Sequence, residues 1–257
     1  MSSLFTYLVI LSILILFFSS IFSLKKEKIK YLNWMMFLFF FLWVTWFVLL
    51  WKNIERLPIR TLGETRMWYS FLTPLIAWGL TIKYKWKWII PYSSLISIIF
   101  LIINLITPEN FDKELLPALQ SIWFIPHVLV YMFAYAMFGV ATLISIRQLW
   151  FSKNTDDKKY IESTKILIYV GFSFLTLGLL FGAIWAKEAW GHYWTWDPKE
   201  IWAMITWFAY LLYIHYSRLI QSSKTNAYII ILSFIILLIC WFGVNYLPIA
   251  NQSIHTY

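Results

Sequence analysis

Cysteine is almost missing from this chain: Cys240 is the single example in 257 residues. One thiol forms no internal disulfide, and without a C-x-x-C pair there is neither a redox relay nor a covalent cofactor anchor. Any thiol chemistry therefore belongs to another protein. Charge is scarce as well, at 13% of residues against 61% hydrophobic and 21% aromatic, which lies outside the range of soluble domains. Histidine occurs four times and is absent from residues 1–106, so imidazole chemistry is confined to the second half. No repeat with a period of 20–50 residues and no low-complexity linker is visible, so there is no sign of a repeat array or of tethered modules. The opening apolar run lacks a preceding basic region and a convincing small-residue cleavage site. It reads as a span and not as a secretory signal.

What the chain does have is long apolar runs, several of which reach the ~20 residues a helix needs to cross a bilayer core. Eight spans are predicted, over residues 4–23, 31–51, 68–82, 88–106, 128–148, 166–186, 200–217 and 226–248; the third is short and contains Pro74. The expected fold class is all-α, a polytopic bundle of transmembrane helices in two regions. Residues 1–106 form a four-span region with little chemistry beyond anchoring aromatics, and residues 107–257 hold every histidine. Lysine and arginine placement sets the orientation. With the amino terminus outside, inner loops carry 14 basic residues and outer segments 7, a bias that puts both termini outside. The net charge of +9 is mostly this topogenic lysine, spread over short loops, and gives no nucleic-acid surface. The outer loop at residues 56–68, with Pro58, Arg60, Glu64 and Arg66, offers an amphipathic segment lying on the membrane.

The second region holds the densest pattern. Residues 190–200 place Trp190, Trp194 and Trp196 in a polar break between two apolar runs, and six of the 17 tryptophans fall between Trp185 and Trp207. Flat indole faces beside Asp197, Lys199 and Glu200 suit a large, flat, partly anionic ligand at a membrane surface, and heme meets that description. His127 follows Pro126 at the outer end of the fifth span, and His255 lies in the outer tail. Two imidazoles flanking an aromatic platform can supply both axial ligands to a heme iron. His215 lies 15 residues after Glu200, about 22 Å inward at 1.5 Å per residue, too deep for the platform. As a ligand it would serve a second site within the membrane, with the opposite ligand from a partner subunit.

Plainer readings stand beside these. Histidines at membrane ends commonly serve as interfacial hydrogen-bonding groups, and tryptophans as belt residues. Asp197, Pro198 and Glu200 fit a helix start, as cap, first helical residue and third residue after the cap. That accounts for those three and leaves the tryptophans unexplained. Gly178 and Gly182 form a G-x-x-x-G pair, a spacing that permits close helix packing.

The run from Ala186-Lys187-Glu188-Ala189-Trp190-Gly191 through Trp194-Thr195-Trp196-Asp197-Pro198-Lys199-Glu200 and Trp202 resembles the tryptophan-rich (WWD) signature of the heme-handling cytochrome c biogenesis proteins. Its Asp-Pro-Lys-Glu ending is similar to the CcsA branch, also called ResC, of bacteria and plastids; the CcmC branch usually continues differently after Trp-Asp. Pro126-His127, His215 and Gly243-Val244-Asn245 shortly before His255 match further. The resemblance covers about residues 120–257 firmly and 1–106 loosely, through Pro58 to Glu64. It implies an outer heme platform of Trp190, Gly191, Trp194, Trp196 and Asp197 with His127 and His255 as ligands. It also implies that His215 belongs to an inner site completed by a histidine of a companion CcsB-like (ResB-like) membrane protein. Heme b would pass from the inner site to the outer one, where its vinyl groups meet the two thiols of an apocytochrome c C-x-x-C-H segment. His192 departs from the family, which often has a small or polar residue there; it reads as a hydrogen-bonding residue of the platform, with ligation as the alternative.

The expected function is therefore to bind heme within the lipid bilayer, carry it outward and present it for thioether attachment. The chain would be the heme-handling subunit of a holocytochrome c synthase complex, with no catalytic residue of its own assigned. Lys187, Lys199 or arginines of the outer loops are candidates to meet the propionates. The large soluble domain found when the companion is fused to this family is lacking, which points to a separate partner. Two alternatives remain: a CcmC-like carrier that delivers heme to a chaperone, and a membrane transporter or glycan enzyme whose tryptophans stack on sugars. The last predicts acidic catalytic residues in outer loops, where the motif offers only Asp197 and Glu200. The compact length points to a bacterial plasma membrane, with the tryptophan loop on the periplasmic or extracytoplasmic side, ahead of a plastid thylakoid.

Overall fold

The computed structural model describes residues 3–25, 29–107, 111, 117–150, 158–219 and 223–246. Among them every regular element is helical: α1 Ser3–Leu24, α2 Ile29–Ile54, α3 Leu62–Tyr84, α4 Ile89–Ile106, α5 Phe124–Trp150, α6 Lys158–Trp190, α7 Pro198–Leu219 and α8 Ser223–Trp241, with short 3-10 turns at Pro117–Gln120 and Gly243–Tyr246. Six of the eight, α1, α2, α4, α5, α6 and α8, are long and apolar enough to cross a membrane. The other two have the length, at 23 and 22 residues, but α3 carries Glu64, Arg66 and Lys83 and α7 carries Lys199, Glu200, His215 and Arg218.

Each expected span falls on one helix, and the differences at the ends have local causes. Helix α3 begins at Leu62, ahead of the expected residue 68, because Thr61 and Glu64 form a reciprocal capping box that satisfies two otherwise orphaned N–H groups. Residues 56–68 are thus no separate amphipathic piece: residues 55–61 make an irregular turn and the rest is α3. Helix α8 stops at Trp241, short of residue 248, where the chain tightens into the turn Gly243–Tyr246. Helix α6 runs for 33 residues, about 50 Å, and so overreaches a ~30 Å bilayer core.

Two compact units divide the chain, Met1–Leu115 and Leu116–Tyr257. In the first, α1 packs on α2 and α4, and α3 packs on α4. Its core is aromatic, with Phe5, Phe39, Trp43 and Trp46 buried together; Trp43 stacks on Phe47 at 5.1 Å and meets Phe71 at 4.3 Å between ring centres. In the second, α5 packs on α6 and α8, and α7 packs on α8. The two units therefore share one connectivity. Outward-facing rows such as Trp34, Phe37 and Phe41 on α2, and Leu232 and Ile235 on α8, are exposed, as suits helices solvated by lipid and not by water.

Close packing in the second unit depends on small residues. Ala134, Ala136, Gly139 and Ala141 are buried along α5, and Phe138 stacks on Tyr210 of α7 at 3.6 Å and 11°. A Cβ at Gly171 of α6 would lie 2.7 Å from the Phe138 ring, so this approach of α6 to α5 requires glycine.

Candidate functional site

At one end of the second unit the start of α5, the end of α6, the start of α7 and the end of α8 surround a cavity of ≈ 180 Å³. It lies in a wider concavity of ≈ 770 Å³ that includes the open mouth. His127, Tyr131 and Tyr135 enter from α5, spaced four residues apart so that they share one helix face. Gly182 and Trp185 come from α6, Lys199 and Glu200 from α7, and Cys240 and Trp241 from α8. Tyr193 and Trp194 close the wall from the α6–α7 connection.

His127 is the best-positioned donor group. Its Nδ1 lies 2.8 Å from the carbonyl oxygen of Gly178. A carbonyl only accepts, so Nδ1 carries the proton and Nε2 the lone pair, the tautomer that second-shell bonding gives to metal-binding histidines. The ring is packed 4.6 Å from Tyr131 and 5.4 Å from Trp185, centre to centre. Trp185 is itself fixed, 2% exposed, with its indole N–H donating to the Ala118 carbonyl at 2.7 Å. The G-x-x-x-G pair explains how the imidazole fits. A Cβ at Gly182 would stand 2.7 Å from His127 Nδ1 and Cε1, and one at Gly178 would collide with the Tyr131 ring. These glycines make room for two side chains of α5.

The tryptophan loop is shorter than its sequence suggests. Trp190 is the last residue of α6, and Gly191 follows at φ 84°, a left-handed helix stop that suits a residue without Cβ. Asp197 caps α7, its Oδ1 accepting from the Lys199 N–H at 2.9 Å. Glu200 reaches back, with Oε2 accepting from the N–H groups of Asp197 at 3.1 Å and Thr195 at 2.8 Å. Both carboxylates are buried. The helix-start reading of these residues thus holds, and it does more than start a helix: it pins residues 195–197 in shape. Trp196 is held at φ 60°, a costly conformation for a bulky side chain.

The structure sorts the sequence-predicted residues as follows. His127, Trp194, Lys199 and Glu200 come together at the cavity. Trp190 packs against Trp185 at 4.8 Å instead of lining it. Trp196 is 63% exposed and Tyr193 59%, with Trp194 and Trp196 edge to face at 6.0 Å. Lys187 donates to the Gly191 carbonyl at 2.7 Å and lies over the Tyr193 ring, so it caps α6. His192 is exposed on the loop. His215 sits four residues before the end of α7, exposed, with Nδ1 3.0 Å from the Leu211 carbonyl oxygen of its own helix; it is far from the cavity. His255 lies outside the described residues. Tyr131, Tyr135, Cys240 and Trp241 were not foreseen; the i, i+4, i+8 stripe from His127 is the signal that marks the two tyrosines.

Six membrane-grade helices, and a buried-edge imidazole facing tryptophans at one end of a four-helix unit, define a polytopic helical membrane protein with a ligand pocket at a helix-end surface. The chain belongs to the cytochrome c assembly protein family, whose model matches residues 1–250. It is 34% identical over 228 residues to the cytochrome c biogenesis protein CcsA of Chlamydomonas reinhardtii, spanning 80% of this chain and 62% of that one. It is 33% identical to CcsA of Welwitschia mirabilis (80% of each chain) and 32% identical to that of Prochlorococcus marinus strain MIT 9301 (79% of this chain, 77% of that). The fold is that of a solved structure of the cytochrome c heme lyase CcmF, with a TM-score of 0.73 at 15% identity. The match covers 96% of this chain and 47% of that chain. The protein is an integral membrane protein of cytochrome c biogenesis.

Proposed function

We propose that this chain binds heme as cargo at the α5–α8 cavity and presents it for covalent attachment to apocytochrome c. The observation that carries the reading is His127, oriented by the Gly178 carbonyl and housed by Gly182, at the mouth of a pocket walled by Trp185, Trp194 and Lys199. The enclosed ≈ 180 Å³ is below the ~300–1,000 Å³ of pockets that swallow a whole ligand. It therefore accepts one edge of a macrocycle, and the exposed rings of Tyr193 and Trp196 offer faces for the rest. Nε2 of His127 supplies one axial bond and His255 the other, while Lys199 is better placed than Lys187 to meet a propionate.

The chain's own work is to hold and orient. The thiol S–H of an apocytochrome C-x-x-C-H segment adds across a heme vinyl group: a carbon–sulfur bond forms, the proton moves to the neighbouring vinyl carbon, and no electrons are exchanged. Reduced thiols and reduced iron favour the addition, and bis-histidine ligation shields the iron. His215 is suited to an inner site because it is exposed on α7 with Nδ1 committed to its own helix. A ligand there must be completed from outside this chain, by a CcsB-like partner. Both termini and the tryptophan loop face outward by the lysine and arginine bias, in a bacterial plasma membrane.

The test is the visible absorption spectrum of the chain purified with its companion protein, beside His127→Ala and His255→Ala variants. Reduced Soret and α/β bands of bis-histidine heme that weaken in both variants are expected. A folded complex that takes up no heme when heme is supplied sinks the reading and favours sugar stacking.

A further inference from the structure

The enclosed space beside His127 takes only one edge of a macrocycle, and its side chains are not neutral as to which edge. Tyr131 stands one helical turn beyond His127 on α5 and lines the cavity. Its ring is fixed on two sides, 4.6 Å from the His127 ring and 5.5 Å from Tyr135, on which it stacks at 22°. Gly178 lies against it, with no room for a Cβ. Tyr131 is nonetheless only half-buried. Its hydroxyl has no hydrogen-bond partner among the described residues; unlike the indole nitrogens of Trp43 and Trp46, which are unpartnered and closed off, it stays accessible. Lys199 lines the same space, and the Cys240 thiol is within electrostatic reach of Tyr131, Tyr135 and Lys199. The neighbouring carboxylates serve the start of α7: Glu200 accepts from the N–H groups of Thr195 and Asp197, and Asp197 from that of Lys199.

We infer that Tyr131 sets which edge of the heme enters: its hydroxyl, with the Lys199 ammonium, receives a propionate, and the vinyl edge stays at the mouth. This rests on the heme reading above and adds the orientation of the macrocycle to it. A carboxylate taken out of water needs charge-assisted hydrogen bonds, and an accessible phenol O–H beside an ammonium supplies them. A vinyl group has no acceptor to offer and would leave the Tyr131 hydroxyl facing hydrocarbon. It would also lie beside the Cys240 thiol, the same kind of group that adds to the vinyls in apocytochrome attachment. Heme carries its two propionates on one edge and its vinyls on the opposite half, so an anchor at Tyr131 turns the vinyls to the open mouth. The iron bond at His127 fixes one point of the ligand and Tyr131 a second, which stops rotation about the iron–imidazole axis and holds the reacting groups in place.

Soret titration of the full chain with its companion protein tests it, using heme, mesoheme (ethyl groups in place of the vinyls) and heme dimethyl ester (both carboxylates blocked). The signal is the part of the absorbance change that His127→Ala abolishes. Mesoheme should bind as heme does, and the dimethyl ester about tenfold more weakly or worse, for want of a bond to a carboxylate. Tyr131→Phe keeps the ring against Gly178 and His127 and removes only the hydroxyl. It should weaken heme and mesoheme about tenfold by the same bond and the dimethyl ester far less. Equal affinity of the wild-type protein for heme and its dimethyl ester overturns the proposed orientation and leaves the heme reading standing. Equal weakening of all three ligands by Tyr131→Phe does the same, since it marks a packing role alone. No His127-dependent signal with any of the three overturns the orientation and the heme reading together.

Discussion

The third helix of each unit starts in the same way, and the two starts are put to different use. Ahead of α3, Glu64 accepts from the N–H groups of Arg60 and Thr61 at 2.6 and 3.2 Å and is gripped by both ends of the Arg56 guanidinium at 3.0 and 2.8 Å. Its side chain is fully buried. Ahead of α7, Glu200 accepts from Thr195 and Asp197, and no ion pair to it is found among the described residues. The aromatic rings follow suit. Trp68 turns inward and donates to the Pro58 carbonyl at 2.7 Å, whereas Tyr193 and Trp196 stay exposed. One clamp closes a loop over a core; the other holds a loop rigid with its ring faces outward, as a preorganised binding surface requires.

The largest expected effect tests the first clamp. Glu64→Ala strands the Arg56 guanidinium in a mostly buried place, and removing one partner of such a pair costs about 3–5 kcal/mol. The variant should accumulate poorly and unfold at a much lower temperature by helical circular dichroism. Glu200→Ala removes neutral-donor bonds and half a capping box, about 1–2 kcal/mol, yet should lower heme content more than Glu64→Gln, which keeps the loop's acceptor. Equal heme loss from the two would erase the distinction between the clamps.

Glycine supplies a second contrast, this time within one helix. Gly171→Ala and Gly182→Ala both drive a Cβ to 2.7 Å from a ring, and overpacking of this kind costs about 1–3 kcal/mol. At Gly171 the ring is Phe138, away from the cavity, so stability should fall while the heme spectrum persists. At Gly182 the ring is His127. Misdirecting a ligand's orientation typically costs about 10–100-fold in affinity, so heme should be lost from a folded protein. Retention of the bis-histidine spectrum in Gly182→Ala would remove His127 from the ligand set.

These contrasts also mark how far the sequence could be read. Helix number and order follow from run length, because crossing lipid imposes one length scale on every apolar stretch. The cap at Asp197 and Glu200 was legible from spacing alone, since the box is local. The cap at Thr61 and Glu64 was hidden because polar residues inside the first turns of α3 look like a loop. The paired four-helix connectivity was invisible for another reason: helices facing lipid are selected for composition, so their order can recur without a residue-level repeat. His127 was found as a histidine beside a motif, but its partner atom was not. The Gly178 carbonyl is 51 positions away, and only the packing of α5 on α6 brings it to Nδ1.

The smallest effect separates the two lysines considered for the propionates. Lys187 is occupied at the end of α6, its ammonium on the Gly191 carbonyl and over Tyr193, so its loss should cost a few tenths of a kcal/mol in stability, as for a helix-end cation. Lys199 faces the cavity from the first turn of α7, where a bond to a carboxylate contributes about 1.5–3 kcal/mol. Lys199→Gln should therefore release heme to a competing scavenger about tenfold faster or more, by that same energy, while Lys187→Gln should release it at the wild-type rate. The reverse order would move the propionates to the α6 side of the mouth, turning the macrocycle relative to Trp194 and requiring a different face of the loop to meet the apocytochrome.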